Sequence, residues 1–184
     1  MRLQQAPELQ ATHWFNTKAP VTLQSLRGRV VLIEAFQMLC PGCVSHGLPQ
    51  AQRVAATFNE KDVAVIGLHT VFEHHAGQGK KEALEAFLHE YRITFPVGID
   101  APSDGGSLPR TMTEYNMQGT PTLLLIDREG RLRKHKFGME QDLTLGAEIM
   151  ALMRESEDRQ PETVVEMAAG PASDESGCSI LPGP

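Results

Sequence analysis

Cys40 and Cys43 are separated only by Pro41 and Gly42, and they end an apolar run, VVLIEAF, over residues 30–36. Two thiols at this spacing can open and close as a disulfide, form a static crosslink, or supply half of a zinc site. The apolar residues Val44, Leu48, Ala51, Ala55 and Phe58 then recur at steps of four and three, which predicts a helix that starts at the cysteine pair and is kinked at Pro49. A helix N-terminus offers unpaired amide N–H groups and the positive end of the macrodipole, so it lowers the pKa of a thiol and favours the reactive thiolate. Cys40 is expected at that cap. Pro41 suits the first helical position, where a missing N–H costs nothing, and Gly42 lets the turn close so that Cys43 comes within bonding reach of Cys40. The chain has no second C-x-x-C, which favours redox chemistry over a zinc site.

Glu34 is the next candidate. It is a single carboxylate among Val30, Val31, Leu32, Ile33 and Phe36, six positions before Cys40, and burying it is costly, so it should have either a partner or a function. Burial disfavours the charged form, so the carboxyl would titrate high and could take a proton from a neighbouring thiol. The stretch LHTVFEHHAG brings a third group, His69, His74 and His75, after a second apolar run. These imidazoles form a polar rim, a copper or zinc site with Cys40 and Cys43, or a solvated loop, and no two of them have the i, i+4 spacing of a metal-binding helix. Cys178, near the C-terminus, reads as a spare thiol or a resolving one.

These residues need a scaffold. The runs over 30–36 and 62–68 are nearly continuous in apolar side chains, as expected of strands covered on both faces, and they alternate with helical periods in the manner of βαβ units. KKEALEAFLHEYRI places Leu84, Phe87, Leu88 and Tyr91 on one face of a helix and leads into a short strand, FPVGID. A short helix over 111–116 follows. TPTLLLIDREGRLRKHKFG then reads as two strands joined by a turn at 127–130, and LTLGAEIMALMRES as a last helix. In open α/β sheets, ligands bind at the carboxyl ends of the strands, the edge on which the cysteines and His69 fall.

The 184 residues fit one domain with appendages, read as an extension over 1–17, a domain over 18–155, and a polar tail over 156–184 expected to be largely disordered. A net charge of −6 with scattered Lys and Arg gives no footprint for nucleic acid or for an anionic membrane. The sequence has no apolar run long enough to span a bilayer and no signal-peptide pattern, so the expectation is a cytoplasmic protein without membrane partners.

The chain resembles the thioredoxin superfamily, and within it the TlpA-like and redoxin group related to AhpC/TSA. The likeness covers residues 18–153 and rests on LRGRVVLIEAF before the cysteines, on CPGC itself, and on MQGTPTLLLIDREGRLR. It implies a thioredoxin-like α/β fold, a central mixed β-sheet flanked by helices with a helix and strand inserted. It also implies a thiol–disulfide oxidoreductase that exchanges electrons with protein or low-molecular-weight disulfides. Such an enzyme needs no separate cofactor, because the Cys40–Cys43 disulfide is the redox group. By the same resemblance Cys40 attacks, Cys43 resolves, Glu34 accepts a proton from Cys43, and Thr120 and the cis-proline Pro121 meet the substrate chain beside Pro41 and Gly42. Three departures stand out: Leu39 where members have Trp, Glu34 where thioredoxins have Asp, and Pro49 one residue further from the second cysteine than usual. The alternative within the group is a peroxidase of the P-x-x-x-T-x-x-C pattern. Aligning its cysteine on Cys43 puts Cys40 in the place of Thr and Phe36 in the place of Pro.

Overall fold

The computed structural model describes residues 4–106 and 108–155. At its centre lie β2 (Val30–Phe36) and β3 (Val63–His69), parallel to each other and buried at every position. Their apolar runs leave no polar face, so only a position between neighbouring strands and under helices on both sides satisfies them. β4 (Val97–Asp100) continues the parallel set beyond β3, and β5 (Thr122–Ile126) pairs antiparallel with β2 on the other side. The edges are β1 (Ala11–Phe15), antiparallel on β4, and β6 (Leu132–Phe137), antiparallel on β5. The sheet is therefore mixed, six strands in the order β1-β4-β3-β2-β5-β6, and with its flanking helices it is a thioredoxin-like α/β fold.

Alternation along β2 decides what each face meets. Val30, Leu32 and Phe36 pack with Leu48, Ala51 and Val54 of α1 (Leu48–Thr57), with Leu84 and Leu88 of α3 (Lys81–Glu90), and with Leu145, Ile149 and Leu152 of α5 (Asp142–Arg154). Val31, Ile33 and Ala35 pack on the opposite face with Leu23 and Leu26, which flank and close a short 3-10 turn, and with Met112 of α4 (Arg110–Glu114), Tyr115 and Met117. Each fully buried Leu or Ile contributes about 1.5–3 kcal/mol relative to exposure. By parity Glu34 belongs to the α1 face, the face that also holds Cys43. A single turn, α2 (His75–Gln78), lies between β3 and α3.

The segment read as an extension over 1–17 contributes one strand to the sheet. Ala11–Phe15 is its edge strand, and the chain before it is tied down by Ala6 N–H to the Gly130 carbonyl at 2.9 Å and by the Tyr115 hydroxyl to the Pro7 carbonyl at 2.6 Å. ATHWF is too short and too polar for its period to announce a strand, and what makes it one is the free edge of β4. The turn after β5 forms where it was read: Gly130 is in the left-handed region at φ 75°, and Asp127 accepts the backbone N–H groups of Glu129 and Arg131. Among the described residues no helix is long and apolar enough to cross a membrane. The tail read over 156–184, Cys178 included, lies outside the described residues.

Candidate active site

Helical residues begin at Pro41 and continue to Thr57. The Cys40 carbonyl accepts the Val44 N–H at 3.1 Å, which makes Cys40 the cap. Its side chain is half-buried. Cys40 Sγ accepts the Cys43 N–H at 3.3 Å, and its thiol donates to the Thr120 carbonyl at 3.4 Å. Cys43, the third residue of the helical run, is completely buried. Burial, and then the adjacent Cys40 thiol, push the Cys43 thiol far above its ordinary range, so Cys43 is protonated at neutral pH and must lose that proton before it can attack.

The first turn of this helix is wide. Cys43–Gly47 is π-helical, and the Leu48 N–H reaches back to the Cys43 carbonyl. Pro49 explains the position: in a regular α-helix its ring would collide with the Ser45 carbonyl and its missing N–H would leave a gap. The kink expected at Pro49 is thus taken up one turn earlier, as an extra residue in the turn that starts at Cys43.

Gly47 closes that turn, and three elements meet there. A Cβ on Gly47 would overlap Glu34 Oε1 and lie 3.1 Å from Pro121 Cβ. Only a glycine leaves room for both. Glu34 is buried to 1% exposure, its Oε1 has no hydrogen-bond partner among the described residues, and burial lifts its pKa from 4.5 to about 8. The Thr120–Pro121 bond is cis, and a Cβ on Gly42 would lie 3.2 Å from Pro121 Cδ, so the proline ring is packed beneath the loop between the cysteines. Cys40, Cys43, Glu34, Gly42, Thr120 and Pro121 are thereby gathered at one end of β2, with Pro41 exposed at the rim.

The histidines are dispersed. His69 is the last residue of β3, 2% exposed, with its ring 5.3 Å from that of Phe36 and its Nε2 unpartnered among the described residues. Burial brings its pKa down to about 4, so it is neutral. His74 and His75 are exposed. Among the described residues no three His, Cys, Asp or Glu side chains are grouped so as to hold a metal ion.

Two residues of this region escaped the sequence reading. Gln37, fully buried just after β2, and Gln78, buried at the end of α2, join side chains: Gln78 Nε2 donates to Gln37 Oε1 at 2.9 Å. Amides 41 positions apart carry no local pattern, and the only available signal was an uncharged polar residue between an apolar strand and a cysteine pair.

The model of the AhpC/TSA family matches residues 3–135, well over half of the chain. The chain belongs to the AhpC/TSA family. Among solved structures, a thioredoxin-like superfamily protein is 61% identical, with a TM-score of 0.79, over 82% of this chain and 96% of that one. A thiol-disulfide isomerase from Corynebacterium glutamicum is 46% identical, with a TM-score of 0.76, over 80% of this chain and 96% of that one. Protein DipZ of Mycobacterium tuberculosis is 33% identical over 139 residues, or 72% of this AhpC/TSA-family chain, which spans 18% of the length of DipZ.

Proposed function

We propose that this protein is a thiol–disulfide oxidoreductase that works through Cys40 and Cys43, with protein or low-molecular-weight disulfides as substrates and no cofactor besides its own disulfide. The observation that carries the reading is the asymmetry of the pair. Cys40 is half-exposed at a helix cap, with its sulfur against the Thr120 carbonyl, while Cys43 is fully buried behind it. Such a pair divides the exchange into an accessible attack and an internal resolution.

The Cys40 thiolate attacks one sulfur of a substrate disulfide. That S–S bond breaks, a Cys40–substrate disulfide forms, and the other substrate sulfur leaves and takes up a proton. Cys43 then gives its proton to the Glu34 carboxylate and attacks Cys40 Sγ, releasing the second substrate thiolate, which is protonated in turn. Two electrons have passed to the substrate and a Cys40–Cys43 disulfide remains, to be reduced by an external dithiol or by two thiols. Glu34 suits the second step because a group titrating near 8 is close enough to neutrality to exist in both forms. A peroxidase reading lacks a hydroxyl at position 40, since a cysteine stands there.

The test is reduction of insulin disulfides by the wild type and Cys40→Ser, with hydrogen peroxide as a parallel oxidant. Cys40→Ser should abolish insulin reduction, and peroxide should react slowly with the reduced wild type. Wild-type turnover in Cys40→Ser overturns the assignment, and peroxide consumption faster than disulfide reduction replaces it with the peroxidase.

A further inference from the structure

The Gln37–Gln78 amide pair connects three segments around Cys40. Gln37 follows β2 and opens the turn to the cysteines, where its carbonyl accepts the Cys40 N–H at 3.2 Å. Its side-chain Oε1 accepts from Gln78 Nε2 at 2.9 Å and from the Phe72 N–H at 3.3 Å, and its Nε2 lies 3.4 Å from both Thr120 Oγ1 and Glu73 Oε1. Gln78 donates its second N–H to the Glu73 carbonyl at 2.9 Å and accepts the Leu39 N–H at 3.1 Å. The amides use both donor hydrogens and bind at both oxygens, which is what a buried polar pair needs to be rigid. The loop that carries Gln78 also packs on the site directly, since a Cβ on Gly77 would touch Leu39 Cδ1 at 3.4 Å.

What this bridge fixes is a spacing. On one side it holds the backbone of the Leu39–Cys40 turn, and on the other it holds the Thr120 hydroxyl, whose residue presents its carbonyl to Cys40 Sγ. Neither side-chain amide touches a sulfur in these contacts, and Gln37 meets Cys43 only through its backbone. We propose that Gln78, acting through Gln37, is a positioning residue that sets the distance between the attacking thiol and the Thr120 peptide edge, and so favours disulfides carried in a peptide chain. This rests on the disulfide-exchange reading above. A peptide disulfide that meets the sulfur and the Thr120 edge together depends on their separation. A small disulfide without a peptide backbone needs the sulfur alone. A misplacement of about 1 Å can lower the rate of a well-oriented reaction by about a hundredfold, so a smaller shift of the docking edge should cost about tenfold.

The experiment compares kcat/KM for a linear peptide carrying one disulfide with that for hydroxyethyl disulfide, in the wild type, Gln78→Asn and Gln37→Asn. Asparagine keeps the amide but is one methylene too short to span the bridge, and using both positions guards against one variant failing to fold. Either variant should lose about tenfold on the peptide while staying within about twofold on hydroxyethyl disulfide. The double variant should lose no more than the worse single one, because the two amides form one link. Equal losses on both substrates, no loss on either, or additive losses in the double variant overturn the proposal. A wild type that reduces neither disulfide overturns the exchange reading itself, a result separable from the others because it needs no variant.

Discussion

Replacing Glu34 by Gln keeps the size of the side chain and removes its titration, so it isolates the energetic consequence of burying a carboxyl. Burial raises Glu34 from 4.5 to about 8, while in the unfolded chain it ionises near its ordinary value. Between those two pH values the folded protein holds a proton that the unfolded chain has lost. The stability associated with this site is therefore complete below about pH 4.5, falls by about 1.4 kcal/mol per pH unit as the pH rises, and stops falling above about pH 8. Over that interval of roughly 3.5 units the loss comes to about 5 kcal/mol. Glutamine has no such dependence, and whatever its amide costs to bury is the same at every pH. The stability of Glu34→Gln minus that of the wild type should thus climb by about 5 kcal/mol between pH 4.5 and 8.5 and be level on either side. Urea unfolding of both reduced proteins at half-unit steps from pH 4 to 9.5 gives the difference curve. A difference that does not change with pH, or that falls as pH rises, refutes a protonated Glu34 in the folded protein. In stopped-flow exchange the same variant should leave attack by Cys40 nearly intact and slow the resolution by Cys43.

His69 should act in the opposite direction: its neutral form is favoured down to about 4, so its stability is complete above about 6.5 and is lost as the pH falls towards 4, about 3 kcal/mol in all. His69→Phe should flatten the acid limb of the urea-unfolding profile between pH 6.5 and 4, and an unchanged limb would place the imidazole in solvent. Gly47→Ala drives a methyl group into Glu34 Oε1 and against Pro121 and should cost about 1–3 kcal/mol. Much of that cost should disappear in a Glu34→Ala background, and an equal cost in both backgrounds, read from denaturant midpoints, would separate Gly47 from Glu34.

The legible parts of the fold were those with a local cause. Continuous apolar runs marked β2 and β3, the turn chemistry of Asp127 and Gly130 marked the β5–β6 hairpin, and the period of Leu84 and Leu88 marked α3. In the site, CPGC at the end of an apolar strand and Glu34 within it could be read directly, and both lie where helix and strand geometry bring them together. What could not be read depends on partners distant in sequence. Ala11–Phe15 becomes a strand because β4 has a free edge, and Gly47 matters because Glu34 and Pro121, from two different strands' ends, reach it. Gln37 and Gln78 have no period at all, and only the return of the loop after β3 over the Leu39–Cys40 turn gives them a common purpose.

The division of labour between Cys40 and Cys43 is tested most directly by trapping. Cys43→Ser, incubated reduced with a peptide disulfide and quenched in acid, removes the thiol proposed to resolve the intermediate. Peptide mapping by mass spectrometry should then find one substrate half joined to Cys40 and accumulating with time, whereas Cys40→Ser should trap none at Cys43, which is buried. Substrate found on Cys43 in the Cys40→Ser protein, or no adduct on Cys40 in Cys43→Ser, would contradict the mechanism.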